Sequence, residues 1–325
     1  MTAAPVRTVF LGSGPFGGPA LRVLAASPVV DLVGVVTAPP RPAGRSGRPA
    51  PTVIETISRD LGVTAILQPE RLRAADAVAA VLALEPALLV LADYGQIVPS
   101  SLLEVRHGAL NLHPSLLPRH RGATPVPAAI LAGDAASGVT LMRMDAGLDT
   151  GPIVAQERVL LDGTETTPAL EARLADLGAD LLAERLSPWL DGRSAARPQD
   201  EALATLTRPF RRADGRLDVT RPAVELERQV RAMQPWPGSF LETGLGRIVV
   251  WAARVGAVAG EGTGAVTPGI VTPGIVTPGI VTPGGVTTGD GELGLIDVQP
   301  AGGRRMAWDA YLRGRPAILG SSIRP

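Results

Sequence analysis

The chain of 325 residues contains no cysteine, so it can form no disulfide, no thiolate nucleophile and no cysteine-based zinc site. Aromatic residues make up only 3% of it. Its three histidines, at positions 107, 113 and 120, lack the i, i+4 spacing that places two metal ligands on one face of a helix. We therefore expect no metal cofactor.

Lysine is absent as well, so the 31 basic residues are all arginine, and 31 acidic residues balance them to zero net charge. A neutral chain has no overall attraction to nucleic acid, so any such contact must be local. The arginines cluster at residues 41–48, 208–221 and 304–315. Such clusters can bind phosphates, although a genome rich in G and C also uses arginine for ordinary surface cations.

Long hydrophobic runs are missing too. The longest apolar stretch, residues 77–92, is interrupted by Glu85 and Pro86, which argues against a membrane span. The N-terminus lacks the charged region and cleavage pattern of a signal peptide. These features predict a globular, cytoplasmic protein with no membrane partner.

The chain begins with an apolar, β-branched run at residues 6–11, followed by Gly12, Gly14 and Gly17 and a helical pattern. The Gly-x-Gly-x-x-Gly spacing suggests a dinucleotide site. However, the next predicted strand, residues 32–37, ends without the acidic residue that holds a ribose. We favour the interpretation that these glycines let the backbone approach something else closely at the carboxyl edge of the sheet.

Strand and helix patterns alternate up to residue 190. We predict strands at 6–11, 32–37, 65–68, 87–92, at the run leading into Asn111, and at 138–145 and 153–160, and helices at 20–26, 53–61, 75–84, 124–132 and 168–190. This alternation predicts a mostly parallel, Rossmann-like sheet with helices on both faces, forming a domain of residues 1–190. Residues 38–51, rich in Pro, Gly and Arg, are predicted to be a long functional loop.

The second half of the chain has a different pattern. Residues 191–207 are polar and are predicted to be a linker, and a second domain is predicted at 208–325. Its short strands, such as 247–252 and 292–299, and one helix at 223–233 predict a small β-barrel. The Thr-Pro-Gly-Ile-Val repeat at about 267–286 is predicted to be a surface insert without chemistry, because regular prolines exclude a helix.

Potential proton carriers concentrate where one predicted strand ends, since His107, His113 and His120 all lie there. Residues 144–151 place Asp149 on a glycine-flanked loop that can fold back onto this segment. Asn111, His113 and Asp149 are then a candidate catalytic trio. The alternative is structural: Asn111 closes a turn and His113 is a satisfied, partly buried histidine.

Two motifs carry a resemblance to a known family. Residues 111–122, Asn-Leu-His-Pro-Ser-Leu-Leu-Pro-Arg-His-Arg-Gly, together with residues 144–151, Met-Asp-Ala-Gly-Leu-Asp-Thr-Gly, resemble the methionyl-tRNA formyltransferases. The resemblance continues at residues 41–45, 94–99, 214–218, 235–237 and 299–302, and so covers nearly the whole chain.

The resemblance implies formyl transfer from 10-formyltetrahydrofolate to the α-amino group of methionyl initiator tRNA, by a monomer with an OB-like C-terminal domain that binds tRNA. It also implies the roles of particular residues. The catalytic residues would be Asn111, His113 and Asp149; the folate-binding residues Ser115, Leu116, Leu117, Pro118, Tyr94, Gly95 and Ile97; and the tRNA-binding residues Arg41, Arg45, Arg48, Arg208, Arg211 and Arg212.

The chain departs from the family pattern at two positions. Pro209 stands in a segment where the family often has lysine, and Asp93 replaces a small apolar residue before Tyr94. We expect Asp93 to face solvent. Two alternatives remain open: the acceptor could be glycinamide ribonucleotide, an amino-sugar or water, or the protein could bind tRNA without turnover.

Overall fold

The structure, a computed structural model, describes residues 4–43, 47–256 and 277–323. They form two compact units. The first contains the residues up to Ala129, Ala135–Leu161 and Ala169–Pro209, and the second contains Ile130–Asp134, Asp162–Pro168 and the residues from Phe210 onward.

Up to Pro209 the chain alternates between strands and helices. The strands are β1 (Val6–Leu11), β2 (Val30–Val36), β3 (Arg41–Ala43), β4 (Arg48–Ala50), β5 (Ile66–Leu67), β6 (Leu88–Ala92), β7 (Ala109–His113), β8 (Arg121–Gly122), β9 (Ala136–Arg143), β10 (Ile153–Leu160) and β11 (Leu206–Thr207). The helices are α1 (Gly17–Ala26), α2 (Val53–Asp60), α3 (Ala75–Leu82), α4 (Ser100–Leu103), α5 (Pro125–Ala132) and α6 (Thr167–Leu190). A 3-10 turn covers Glu201–Leu203.

The main sheet of the first unit has the strand order β10-β9-β7-β6-β1-β2-β5. Neighbours from β7 to β5 run parallel, whereas β9 is antiparallel to both β7 and β10. This architecture confirms the predicted fold class. Because the chain builds β2 and β5 on one side of β1 and then β6 and β7 on the other, the sheet has a topological switch point between β1 and β6. In such sheets ligands bind beyond the carboxyl ends of the strands at this point.

The core explains the apolar sequence of β6, whose five residues are all buried. A central parallel strand is covered on both faces, so it reads as a continuous apolar run. On the long helix α6, Gly178 lies so close to the sheet that an added methyl group would be 3.3 Å from Val139 and 3.7 Å from Leu112. The strand that carries Asn111 and His113 is therefore held firmly from the helix side.

The second unit contains an antiparallel sheet of the small-barrel type, as predicted. Its elements are α7 (Ala223–Ala232), β12 (Ser239–Thr243), β13 (Gly246–Gly256), β14 (Gly285–Thr287), β15 (Glu292–Pro300), β16 (Met306–Ala307) and α8 (Trp308–Gly314), with 3-10 turns at Arg212–Gly215 and Pro316–Ile318. The strand order is β12-β13-β15-β14, and β16 pairs with β15. The prediction of a single helix was wrong. Helix α8, with seven residues, is too short for a periodic pattern but buries Trp308 and Tyr311.

Two further differences concern the loops. Part of the predicted irregular loop 38–51 is a short hairpin, in which Arg41 pairs with Ala50 and Pro42 with Pro49. Proline has no N–H but fits extended backbone, which is why such a segment reads as a loop in the sequence. The predicted repeat insert lies mostly outside the described residues, as does Arg45. In the part of the chain that the structure describes, each helix is too short or too polar to span a bilayer.

Candidate active site

Strand β7 places Asn111 and His113 on the same face of the sheet, because side chains two positions apart in a strand point the same way. The strand lies between β6 and β9: Asn111 pairs with Leu91 and Met142, and His113 pairs with Thr140. His113 is 5% exposed, and Asn111 is half-buried. Both side chains thus project from a fixed backbone near the carboxyl end of a central strand.

The two ring nitrogens of His113 have different surroundings. Nε2 lies 3.0 Å from the backbone oxygen of His120. A carbonyl oxygen can only accept, so Nε2 carries the proton of this hydrogen bond. Nδ1 lies 3.6 Å from Oδ2 of Asp149. Nδ1 is therefore the atom that can gain a proton, and it would gain it beside a carboxylate.

Asp149 is held in place by the neighbouring turn. Its Oδ2 accepts a 2.7 Å hydrogen bond from the backbone N–H of Gly122. Asp149 itself has a φ of 53°, in the left-handed region that few residues other than glycine adopt. Gly122 is required there because its φ is 103° and an added methyl group would lie 2.4 Å from the backbone oxygen of Thr207.

The turn that follows β7 is stabilised by its own side chains. The Ser115 hydroxyl donates to the backbone oxygen of Arg119 at 2.7 Å, and the Thr140 hydroxyl donates to that of Ser115 at 2.6 Å. Of the predicted folate-binding residues in this turn, Ser115 and Leu117 are buried, whereas Leu116 and Pro118 are half-buried. Contacts to a ligand would therefore come from the latter two side chains and from the backbone.

The turn that follows β6 contains the other predicted folate residues, Tyr94, Gly95 and Ile97. Burial raises the pKa of Tyr94 to about 12. Among the described residues, its hydroxyl has no hydrogen-bond partner. Ile97 is 76% exposed, which leaves a large apolar side chain open to a ligand. Gln96 fixes the turn by accepting from the N–H of Leu72 at 2.7 Å and donating to the oxygen of Pro69 at 3.1 Å.

A buried arginine and a glutamine support the site, and the sequence interpretation missed both roles. The Arg121 side chain is 4% exposed and donates to Oε1 of Gln199 at 2.9 Å and to the carboxylate of Glu201 at 2.7 Å. The hydrogen bond with Glu201 raises the pKa of Arg121 and lowers that of Glu201. Gln199 in turn donates to the backbone oxygens of Asp149 and Gly151, both at 2.7 Å. The predicted linker therefore contributes a side chain that holds the Asp149 loop.

The predicted tRNA-binding arginines that the structure describes are all exposed: Arg41, Arg48, Arg208, Arg211 and Arg212. Arg41 is ion-paired with Glu70 over 3.8 Å, and its side chain is 74% exposed. Arg45 lies outside the described residues. Within the described ranges, no group of three or more His, Cys, Asp and Glu side chains is arranged to hold a metal ion.

Comparisons with known proteins agree with this geometry. Residues 6–186 match the family described as formyl transferase, and residues 210–316 match the formyl transferase C-terminal domain. The chain is 39% identical over 321 residues to methionyl-tRNA formyltransferase of Ruegeria pomeroyi, with 98% of this chain and 100% of that protein covered. The chain belongs to the methionyl-tRNA formyltransferase family.

Other relatives support the same assignment. Methionyl-tRNA formyltransferase of Roseiflexus sp. is 42% identical, with 95% of this chain and 93% of that protein covered. Among solved structures, a 4-N formyltransferase from Francisella tularensis has a TM-score of 0.60 at 15% identity, covering 75% of this chain and 95% of the other. HypX from Aquifex aeolicus has a TM-score of 0.59 at 16% identity, covering 95% of this chain and 48% of the other. These two structures show a shared formyltransferase fold.

Proposed function

We propose that this formyltransferase transfers the formyl group of 10-formyltetrahydrofolate to the α-amino group of methionyl initiator tRNA. The observation that carries the proposal is the pairing of His113 with Asp149 at the end of the strand that bears Asn111, in a chain that matches methionyl-tRNA formyltransferases over nearly its full length. Polar groups of these three kinds suffice for acyl transfer to an amine.

The reaction needs no covalent enzyme intermediate. An α-amino group has a pKa of about 7.7 to 8.0, so a large fraction is a free nucleophile near neutral pH. The amine nitrogen bonds to the formyl carbon, and the amide of Asn111 donates a hydrogen bond to the oxyanion that forms. The bond from the formyl carbon to the folate nitrogen then breaks, and that nitrogen takes up a proton.

In this scheme His113 accepts and returns the proton, and Asp149 stabilises the protonated ring. As the amine attacks, its proton passes to Nδ1 of His113, directly or through water, and the carboxylate 3.6 Å away stabilises the imidazolium. The protonated ring stabilises the developing negative charge on the formyl oxygen. The same proton is then available for the departing folate nitrogen, so the histidine ends the cycle in its starting state.

The co-substrate site consists of the two turns that follow neighbouring strands β6 and β7. In the first turn we assign Tyr94, Gly95 and Ile97, and in the second the segment from Ser115 to Pro118. The assignment is supported by the exposure of Ile97 and by the pairing of β6 with β7, which brings both turns to the edge of the sheet where Asn111 and His113 lie. Apolar lining with a few fixed polar groups is typical of such pockets.

The exposed arginines contact the phosphates of the tRNA in this proposal. In the first unit these are Arg41, Arg48 and Arg208, together with Arg45. In the second unit they are Arg211 and Arg212, within an OB-like domain that binds the tRNA. Arginine suits this role because its planar guanidinium binds phosphate oxygens in pairs.

A pocket of the second unit supports phosphate binding by Arg212. It has a volume of about 570 Å³ and is lined by Arg212, Ala213, Arg216, Phe240, Glu242, Thr243 and Arg247. The guanidinium of Arg247 lies 3.9 Å from the centre of the Phe240 ring and donates to Glu242 at 2.8 Å. Glu242 balances the charge of Arg247, so the positive charge that the pocket offers to a phosphate comes from Arg212 and Arg216.

The predicted organisation completes the proposal: a catalytic domain at 1–190, a linker at 191–207 and a tRNA-binding domain at 208–325, in a monomeric cytoplasmic protein. Light scattering of the purified protein tests the monomer, with a mass near 33.5 kDa as the expected result. A mass near twice that value would contradict it.

The function is tested by offering charged initiator methionyl-tRNA, glycinamide ribonucleotide, a nucleotide-linked amino-sugar and buffer alone as acceptors for 10-formyltetrahydrofolate. The expected result is N-formylmethionyl-tRNA with no comparable turnover elsewhere. Folate consumption in buffer alone would indicate a hydrolase. Transfer to glycinamide ribonucleotide or to the amino-sugar would show that the acceptor is not tRNA. Binding of tRNA without turnover would contradict the enzymatic proposal.

A further inference from the structure

The glycines of the Gly-x-Gly-x-x-Gly loop make room for the last residue of β6, Ala92, and for the residue that follows it, Asp93. A methyl group on Gly12 or Gly17 would lie 2.6 Å or 2.8 Å from the backbone oxygen of Ala92. A methyl group on Gly14 would lie 1.7 Å from Oδ2 of Asp93. All three glycines are therefore needed for the close approach of residues 92 and 93, across the switch point between β1 and β6.

The Asp93 carboxyl group is bonded to this glycine loop. Burial raises the pKa of this carboxyl group, and the backbone N–H of Phe16, at the start of α1, partly offsets that shift. The backbone oxygen of Asp93 also accepts from the N–H of Ser13 at 3.0 Å. Helix α1 has no capping side chain of its own and no acidic residue in its first turn. Asp93 thus supplies the negative charge that a helix N-terminus favours.

Asp93 is exposed, as expected. Its carboxyl group nevertheless lies against the glycine loop, and the protein atoms around it raise its pKa. Burial raises the pKa of Glu171 on α6, and the charge of Asp93 adds to this shift. A carboxylate in this position needs a compensating role, since its desolvation is unfavourable.

We propose that Asp93 is a positioning residue: by docking its carboxyl group on the glycine loop, it fixes the turn of residues 93–99 for the folate co-substrate. The turn is then held at its start by Asp93 and in its middle by the two hydrogen bonds of Gln96. Ile97, the next residue, stays exposed. The proposal rests on the proposed function, which places folate against this turn.

The docking also explains why the loop does not need a dinucleotide. The Asp93 carboxyl group already lies against the loop, where a phosphate would bind, since its Oδ2 would be 1.7 Å from a methyl group on Gly14. A second anion at the same place would be repelled by the first. The glycine motif therefore serves an internal contact in this protein.

The docking is tested by a double-mutant cycle of Gly14→Ala and Asp93→Ala, measured by urea unfolding. The three atoms nearest to an added Gly14 methyl group all belong to the Asp93 side chain, and Gly14 has no positive φ. Gly14→Ala should therefore destabilise the wild type but have little effect in the Asp93→Ala background. Gly314→Ala is the matched control, because its methyl group would enter open space. Equal destabilisation by Gly14→Ala in both backgrounds would overturn the docking.

The positioning is tested by kinetics and by binding of 5-formyltetrahydrofolate in a calorimeter. Asp93→Ala should raise the folate KM and Kd on the order of tenfold, the effect of losing one fixed polar contact, with a smaller change in kcat. Asp93→Asn should restore most of the affinity, because its side chain has nearly the same shape and can pack on Gly14 in the same way.

Either of two results would overturn the positioning role: folate KM and Kd that stay unchanged in Asp93→Ala, or an Asp93→Asn variant as impaired as Asp93→Ala. Failure of the proposed function would look different. A wild-type protein that binds no folate would refute the folate site, while the unfolding cycle would still decide whether Asp93 is docked.

Discussion

The proposed catalytic trio and the exposed arginines of this protein are built in opposite ways. The side chains of His113 and Asp149 are 6% and 15% exposed, and each is oriented by backbone groups of another segment. The Arg41 side chain is 74% exposed and has one ion pair of 3.8 Å. Buried, directional contacts determine geometry, whereas exposed charges contribute small and additive increments. A single substitution in the trio should therefore cause a large loss of activity, whereas a single arginine substitution should cause a small loss of tRNA binding.

The largest effect is expected for His113→Ala. Loss of proton transfer and of imidazolium stabilisation should lower kcat by about 10² to 10⁴, and Asn111→Ala should lower it by about 10² to 10³ through loss of the oxyanion donor. Single-turnover formyl transfer measures both. His107→Ala is the matched control and should keep near-normal turnover. A His113→Ala enzyme within tenfold of the wild type would remove the trio from the mechanism.

A smaller loss is expected for Gln199→Ala, which would show that the chemistry depends on residues of the predicted linker. The substitution removes the hydrogen bonds to the backbone oxygens of Asp149 and Gly151. We expect kcat to fall on the order of tenfold with little change in either KM, since the loop carries Asp149 but no assigned ligand contact. An unchanged kcat would show that the Asp149 loop is held without Gln199.

Features that depend on local sequence patterns were predictable, whereas features that depend on contacts between distant residues were not. Strands β1 and β10 have the predicted ends because their patterns are local and clear. The shared face of Asn111 and His113 was predictable from strand periodicity, whereas the catalytic role of the trio stays a prediction. The role of Gln199 was not, since it depends on a partner 50 residues away, Asp149. The docking of Asp93 likewise depends on a tertiary contact with Gly14, which local sequence patterns do not predict.

Graded effects are expected on the arginine side of the comparison. Arg212→Gln and Arg247→Gln should each weaken tRNA binding a few-fold and lower the slope of log affinity against log salt by about 1 if the side chain contacts a phosphate. Filter binding over a range of salt concentrations measures this. Arg22→Gln, an exposed substitution on α1, is the control. A loss of 10³ from one arginine would mean that a single charge, and not a distributed surface, binds the tRNA.

The raised pKa of Asp93 should also make the stability of the protein depend on pH. Burial raises the pKa of Asp93 above its ordinary value of 3.8, so its ionised form is disfavoured in the folded state. The folded protein then binds more protons than the unfolded chain in the window above that value, and stability falls as the pH rises through it. Relative to Asp93→Asn, the wild type should lose stability from acid towards neutral pH in urea unfolding. A difference in unfolding free energy between the wild type and Asp93→Asn that stays constant with pH would contradict the raised pKa of Asp93.

The smallest effect is expected for Tyr94→Phe. The Tyr94 hydroxyl has no hydrogen-bond partner among the described residues, so its removal should change the free energy of unfolding by less than about 1 kcal/mol or even stabilise the protein. The folate KM should stay close to that of the wild type, because the ring and the backbone of the turn remain. A large increase in KM would show that the hydroxyl contacts the co-substrate.

The division between a rigid chemical site and a distributed RNA surface is tested most directly by the salt dependence of formyl transfer, with kcat and the KM for methionyl-tRNA measured separately. The KM should rise steeply with ionic strength, because phosphate contacts release counterions, while kcat at saturating tRNA stays nearly constant. A KM that does not respond to salt, or a kcat that falls in parallel with affinity, would contradict this account.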